Sequence, residues 1–367
     1  MHIMFIPSWY SNVRNKVHGS FFKEQALELQ KAGVKVTVAY NEVWPLTMLG
    51  KIHEEKGLKY NVEDGLKTYR YKNYNYIPKN PLMFKVFNKR MEKLYKEIVK
   101  KEGAIDIIHA QSSLWGGISA AYIAEKYNIP LVITEHSSVE RGPYVKKSYI
   151  PFICDSYKKA QKVITVGNGL KNEIESLSGR QDIEVIGNLV DLSKFTIKKR
   201  IKNEKFIFFS LAFLEGEKGF DTLIKSFAKK FKDKEAVLYI GGDGSQRSWL
   251  EALTVENGVK DQIIFLGALS RDDVSKWMNK CDCFVLPSRY ETFGVVYIEA
   301  LASGRPVIGA LNGGAEDIIN NLNGYLVPID DIDKLAEKML ELYKKIDSYN
   351  EEEIRSDCLK RFSPEVI

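Results

Sequence analysis

Cysteine is scarce in this chain: Cys154, Cys281, Cys283 and Cys358 are the four present, and they form neither a C-x-x-C pair nor a regular framework. A disulfide scaffold is therefore excluded, and the expectation is reduced thiols in a cytoplasmic protein. Long apolar runs are missing too. Nothing approaches the roughly eighteen residues that span a bilayer, and the N-terminus enters directly into a strand instead of a signal peptide, so the chain should be soluble or at most attached to a membrane surface. No G-x-G-x-x-G follows a first strand at Phe5 or Phe209, which removes a dinucleotide dehydrogenase. Asp-x-Asp occurs once, at Asp331 and Asp333 ahead of a helical pattern, and reads there as a helix cap with dipole-favoured charge.

What is present points to two domains. With 367 residues, 44% of them hydrophobic, the chain can build two cores of ordinary size. The net charge of +6 is unevenly spread: residues 1–180 hold 28 Lys and Arg against 17 Asp and Glu, or +11, which leaves 26 against 31, or −5, for the rest. A basic first half suggests an acidic partner, either a membrane surface or an anionic acceptor, or else a solvated basic face.

The densest stretch is Ser288-Arg-Tyr-Glu291-Thr-Phe-Gly294, running on through Glu299 to Gly304-Arg-Pro306-Val-Ile-Gly309. The apolar run Cys283 to Pro287 reads as a buried strand, Val295 to Ser303 as a helix ended by Gly304, and the residues after Pro306 as the next strand. Gly294 lets the backbone approach a ligand where the helix begins, and the N–H groups of that helix start attract anions such as phosphate. Glu291 and Glu299 repel phosphate and should address sugar or ribose hydroxyls instead. For an arbitrary E-x7-E the ordinary reading is a cap and a solvated carboxylate.

Ser-x-x-Glu-x-Phe-Gly-x-x-x-x-Glu-Ala-x-Ala-x-Gly-x-Pro-Val-Ile resembles the signature of glycosyltransferase family 4, the retaining enzymes of GT-B fold. The resemblance implies an α/β protein of two Rossmann-like, doubly wound domains facing each other across a cleft. It places Glu291 by the donor sugar, Glu299 on the ribose, and the amides of Phe293, Gly294 and Val295 at the diphosphate. Lys218, in Lys218-Gly219, matches the lysine that grips the diphosphate, while the arginine usual five residues earlier is replaced by Phe213; Arg289 or Arg305 could then help balance the phosphates. Ile263 to Leu266 with Gly267-Ala-Leu269-Ser270 matches the loop that receives the nucleobase, so Leu269 is a base contact.

In chain order, His2 to Ser8 reads as a strand, Phe21 to Lys31 as a helix and Val34 to Tyr40 as a second strand, a βαβ unit that favours a parallel sheet. Gly19, before the helix, is the glycine that the resemblance puts beneath the reacting sugar; a turn glycine would look the same. Trp44 to Tyr76 is irregular, with a hairpin turn at Asp64-Gly65. The stretch from Asn80 to Lys101 is a basic amphipathic helix with Leu82, Val86, Met91, Leu94 and Ile98 broadly on one side, able to rest on anionic lipid or to pack as a surface helix. Pro130 to Glu135 is a strand whose end carries His136, which the resemblance sets beside the donor sugar; His109, at another strand end, is a second candidate. Asn188-Leu-Val-Asp191 resembles the family's crossing point, and the basic run Lys194 to Lys205 reads as a solvated linker. The expected domains are 1–192 for the acceptor, 193–345 for the donor, and a helical segment 346–367 that in the family crosses back; the chain stops as that helix would begin. Gly241-Gly-Asp-Gly244, Gly313-Gly-Ala-Glu316 and Asn323 to Pro328 continue the resemblance, which is dense from Lys218 to Pro328.

The implied activity is retaining, metal-independent transfer of a hexosyl or N-acetylhexosaminyl group from a nucleotide diphosphate sugar, UDP-sugar favoured. No cofactor or metal is expected. The acceptor would be a lipid-linked or anionic glycan of bacterial cell-envelope synthesis, and no nucleic acid is implied. A sugar-nucleotide epimerase of the same fold would turn over without an acceptor, and a non-catalytic sugar-binding scaffold would not need Glu291, Glu299 and Lys218.

Overall fold

The apolar strands predicted near His2 and near Phe206 each belong to a largely parallel sheet. The structure, a computed structural model, describes residues 1–15, 18–142, 144–198 and 204–367. It divides into two units of dense internal packing, Met1–Ile186 and Gly187–Ile367. No helix among the described residues is long and apolar enough to cross a membrane.

In the first unit every residue of β1 (His2–Pro7) is buried, as a strand covered on both faces must be. It is followed by α1 (Ser20–Lys31), β2 (Lys35–Trp44), β3 (Gly57–Glu63), β4 (Leu66–Tyr74), α2 (Met83–Glu102), β5 (Ile107–Gln111), α3 (Ile118–Tyr127), β6 (Leu131–Glu135), α4 (Ile150–Lys159), β7 (Lys162–Thr165), α5 (Asn168–Ser178) and β8 (Glu184–Val185). The sheet order is β3-β4-β2-β1-β5-β6-β7-β8, parallel throughout except for the hairpin β3–β4. That hairpin turns at Asp64 (φ 50°) and Gly65 (φ 88°), as the Asp-Gly pair predicts. The stretch expected to be irregular is thus mostly strand. Its alternation is masked because one face of the hairpin carries charges.

In the second unit the order of elements is β9 (Phe206–Leu211), α6 (Phe220–Phe231), β10 (Ala236–Gly241), α7 (Arg247–Glu256), β11 (Ile263–Gly267), α8 (Arg271–Lys280), β12 (Cys283–Leu286), α9 (Val295–Ala302), β13 (Val307–Ala310), β14 (Gly324–Val327), α10 (Ile332–Lys345) and α11 (Glu351–Phe362). The all-parallel sheet runs β11-β10-β9-β12-β13-β14, so the direction of winding reverses between β9 and β12. In the first sheet it reverses between β1 and β5. Loops leaving the carboxyl ends of strands at such a point splay apart and leave room for a ligand.

The structure favours the packed reading of α2 and amends the linker reading. The apolar stripe of α2 does not face outward: Phe84, Phe87, Met91, Leu94 and Ile98 are buried, Arg90 is buried with them and donates to the Tyr74 carbonyl at 2.7 Å, and only Leu82 (54% exposed) and Val86 (38%) remain outside. The basic run from Lys194 is not wholly a free linker either, since Lys194 pairs with Asp272 at 2.6 Å and the Lys198 N–H donates to Asn279; residues 199–203 of that run lie outside the described residues. The C-terminal α11 packs on α9 within the second unit, where Arg355 donates to the Ala302 carbonyl.

Candidate functional site

Of the residues predicted for the donor side, Lys218 and Glu291 meet at the switch point of the second sheet. After β9 the chain makes a short turn, Gly216–Lys218, and enters α6 through Gly219 in a left-handed conformation (φ 68°). A side chain on Gly219 would strike the Pro287 carbonyl of the loop leaving β12, so only glycine lets the two loops meet. Lys218 thereby reaches that loop: its Nζ donates to Glu291 Oε1 at 2.6 Å, and Ser288 Oγ donates to the same oxygen at 2.9 Å. The loop is braced from behind by Asn312, whose amide donates to the Ser288 carbonyl, and by Glu316, which accepts from the N–H groups of Asn312 and Gly313.

Gly294 (φ 100°) opens α9. Among the described residues the N–H groups of Phe293, Gly294 and Val295 have no hydrogen-bond acceptor, the arrangement that favours an anion at a helix start. One turn further on, Glu299 is buried and lies 3.4 Å from Arg271 Nη1. Arg271 in turn sits over the Phe195 ring at 5.3 Å and donates to the Asp191 carbonyl at 2.8 Å. Leu269 is half-buried in the loop after β11, against Gly241. Lys218 and Glu291 are thus in direct contact, and Glu299 lies on the helix that follows the Glu291 loop, with Arg271 beside it.

The cations proposed to replace the missing arginine are not available. Arg289 is held by Asp221 at 2.9 Å, by Asp330 at 2.7 Å and by the Gly216 carbonyl, and the hydrogen bonds to those two carboxylates push its pKa up. Arg305 is 1% exposed, precedes β13 at the amino end of that strand, away from the carboxyl ends that face the motif loops, and pairs with Glu351 at 2.6 Å. Phe213 itself is 76% exposed. Asp331 caps α10 by accepting from the Lys334 N–H at 2.8 Å, and Asp333 pairs with Lys229, as the cap reading expects.

In the first unit Gly19 and His136 are drawn together by α1. Gly19 (φ 71°) is crowded by its own chain, with the Trp9 carbonyl 2.7 Å from where a Cβ would sit, so the turn alone demands glycine there. Phe22, which packs on Gly19, meets the His136 ring edge-on at 4.9 Å. His136 Nε2 lies 2.7 Å from Gln111 Oε1, and the Gln111 amide nitrogen lies 3.0 Å from His109 Nε2, which also touches Thr134 Oγ1 at 2.8 Å. That pattern puts a proton on His136 Nε2 and makes His109 an acceptor. Burial, and then the neighbouring His136, lowers the His109 pKa to about 4, in keeping with a neutral ring.

Beside them Glu135 is buried and accepts from the Ser113 N–H and the Tyr157 hydroxyl, both at 2.8 Å. Burial and the Glu135 charge raise Tyr157 well above its usual range. Gln111, Glu135 and Tyr157 escaped the sequence reading. No motif marks them, though Gln111 closes an apolar strand and could have been suspected on that ground.

The profile described as Glycosyl transferases group 1 matches residues 191–354, and the profile of Glycosyltransferase Family 4 matches residues 19–194. An uncharacterized glycosyltransferase of Methanocaldococcus jannaschii is 33% identical over 270 residues, covering 72% of this chain and 70% of its own. The chain belongs to glycosyltransferase family 4. A second relative of this glycosyltransferase, the putative teichuronic acid biosynthesis glycosyltransferase TuaC of Bacillus subtilis, is 27% identical over 92% of the chain and 88% of its own length. Among solved structures, HepE of Anabaena in complex with UDP-glucose superposes with a TM-score of 0.71 at 18% identity, covering 99% of this chain and 96% of that one. Fold neighbours of this kind are GT-B enzymes, and the two Rossmann-like units here are of that class.

Proposed function

We propose that this glycosyltransferase moves a hexosyl or N-acetylhexosaminyl group from a nucleotide diphosphate sugar, UDP-sugar favoured, to a lipid-linked or polysaccharide acceptor of the bacterial cell envelope, with retention and without a metal. The observation that carries the donor reading is the Lys218–Glu291 contact beside the N–H groups of Phe293 to Val295. An incoming diphosphate competes with Glu291 for the Lys218 ammonium and takes the helix-start amides, which releases the Glu291 carboxylate to sugar hydroxyls. Glu299 holds the ribose, with Arg271 at its side, and the loop at Leu269 receives the base. Two names support the donor class and the kind of pathway: HepE is described in complex with UDP-glucose, and TuaC is named a putative teichuronic acid biosynthesis glycosyltransferase.

In the front-face route the bond from the anomeric carbon to the diphosphate breaks as the acceptor oxygen bonds to the same face. The acceptor proton passes to the departing phosphate oxygen. Fixed cations and amides stabilise the charge that develops on the leaving group. Gly19 and His136 in the first unit are assigned to the sugar. Leu82 and Val86, exposed among Lys79, Lys85 and Lys89 at the start of α2, are the apolar side chains able to rest on anionic lipid.

A thermal-shift panel of UDP-, GDP- and ADP-sugars tests the donor, and NMR of the product anomer tests the route. An inverted product overturns retention. Turnover of the donor with no second substrate would make the protein an epimerase.

A further inference from the structure

Strand pairing places Val36, Val38, Tyr40 and Glu42 of β2 on one face of the first sheet, in register with Leu66, Thr68, Arg70 and Lys72 of β4 and with Asn61 and Glu63 of β3. Over most of its length this face is the apolar floor on which Phe22 and Ala26 of α1 pack. Toward β3 and the carboxyl ends of β2 and β4 it turns charged. There a cavity of about 450 Å³ opens, within the ~300–1,000 Å³ common for small-molecule sites. Its floor is Arg70, Glu42 and Glu63, and its walls include Asn12, Lys23 and Asn61.

The floor is rigid. Arg70 forks onto Glu63 with two contacts of 2.7 Å, reaches Glu42 at 3.1 Å and the Ser11 carbonyl at 2.8 Å, and lies against both the Tyr10 and Tyr40 rings, 5.3 and 5.4 Å from their centroids. Buried charges of this kind are costly and often no better for stability than an apolar packing, so a sheet face that abandons Val and Leu for them suggests a ligand. The loop that carries Tyr10 against Gly19 continues as Ser11 and Asn12 into the wall, which ties the cavity to the loop assigned to the reacting sugar.

We propose that this cavity is a subsite for a neutral, polyhydroxylated ring, a saccharide unit of the acceptor; the assignment to the acceptor rests on the glycosyltransferase reading above. The charge balance selects the class of ligand. Lys23 pairs with Asp64, Arg70 with Glu63 and Glu42, Lys72 with Glu54, and Arg14 with Glu42 and Glu54, so four cations stand against four carboxylates and an added phosphate or carboxylate would meet anions already at close range. Vicinal hydroxyls suit such a lining, since they donate to the carboxylates and accept from the amides and ammonium groups. The basic character of the unit as a whole does not extend into this cavity.

The test uses the full chain and amide hydrogen exchange. Methyl α-glucoside, methyl α-galactoside and methyl α-N-acetylglucosaminide serve as neutral probes, with glucuronate and glycerol 3-phosphate as anionic ones. At least one neutral glycoside should slow exchange several-fold at residues 11–13 and 61–64 while the anions do not. Asn61→Trp, at an exposed position on the wall, should weaken that protection about tenfold and leave UDP binding unchanged. Protection by the anions alone, protection by no probe, or protection undiminished in Asn61→Trp overturns the subsite. UDP binding read on the same sample separates the two claims: if UDP binds and no glycoside protects, only the subsite fails, and if UDP itself does not bind, the donor reading fails.

Discussion

Lys218 and Glu291 form a contact whose partners the proposed donor would exchange, so their substitutions should separate binding from chemistry. Glu291→Gln keeps the shape and the Ser288 contact; it should lower transfer about 100-fold or more, the scale of losing a polar group aimed at the transition state, with little change in melting temperature. Activity equal to the parent's would leave Glu291 a loop brace. His109 supplies a pH dependence. Its folded pKa of about 4 lies below the ordinary 6.5, so the unfolded chain binds the extra proton as pH falls through that window. Stability is therefore full above pH 6.5 and declines toward pH 4, by about 2 kcal/mol at pH 5, and His109→Gln should flatten that part of a denaturation series. At this scale the motif residues were legible because their spacing is local. Arg289 was misread because Asp221 and Asp330, which capture it, are remote in sequence, and Arg271 carries no pattern that points to Glu299.

Among the elements, helix periodicity marked α2 correctly but could not show which side meets the sheet. Arg90 lies on the buried side because the Tyr74 carbonyl awaits it, and the lipid-facing surface shrinks to the first turns. Vesicle sedimentation should then show weak, salt-sensitive binding to anionic lipid that falls further in Leu82→Ser with Val86→Ser; binding unaffected by that double change would place the contact elsewhere. The hairpin β3–β4 was visible only at its turn, since the charged face that lines the cavity breaks the apolar alternation that a strand reading needs. The start of α10 was readable from Asp331 alone, and Asp331→Ala should cost about 1 kcal/mol of stability in a denaturant titration without affecting donor binding.

Across the whole molecule, two βαβ-built units were legible from strands alternating with helices, and both sheets place the motif residues where their winding reverses, Gly19 in the first and Lys218 with Glu291 in the second. That coincidence follows from strand order, which no local pattern encodes, and within the second unit it brings together a lysine turn and a glutamate loop far apart in sequence. The central claim is that Lys218, Glu299 and the start of α9 hold a nucleoside diphosphate. Calorimetric titration of UDP and UDP-glucose into the full chain tests it most directly. The account predicts saturable binding that weakens about tenfold in Lys218→Ala and in Glu299→Gln, with the lysine change also lowering the salt dependence. Equal affinity in the parent and both variants would contradict it.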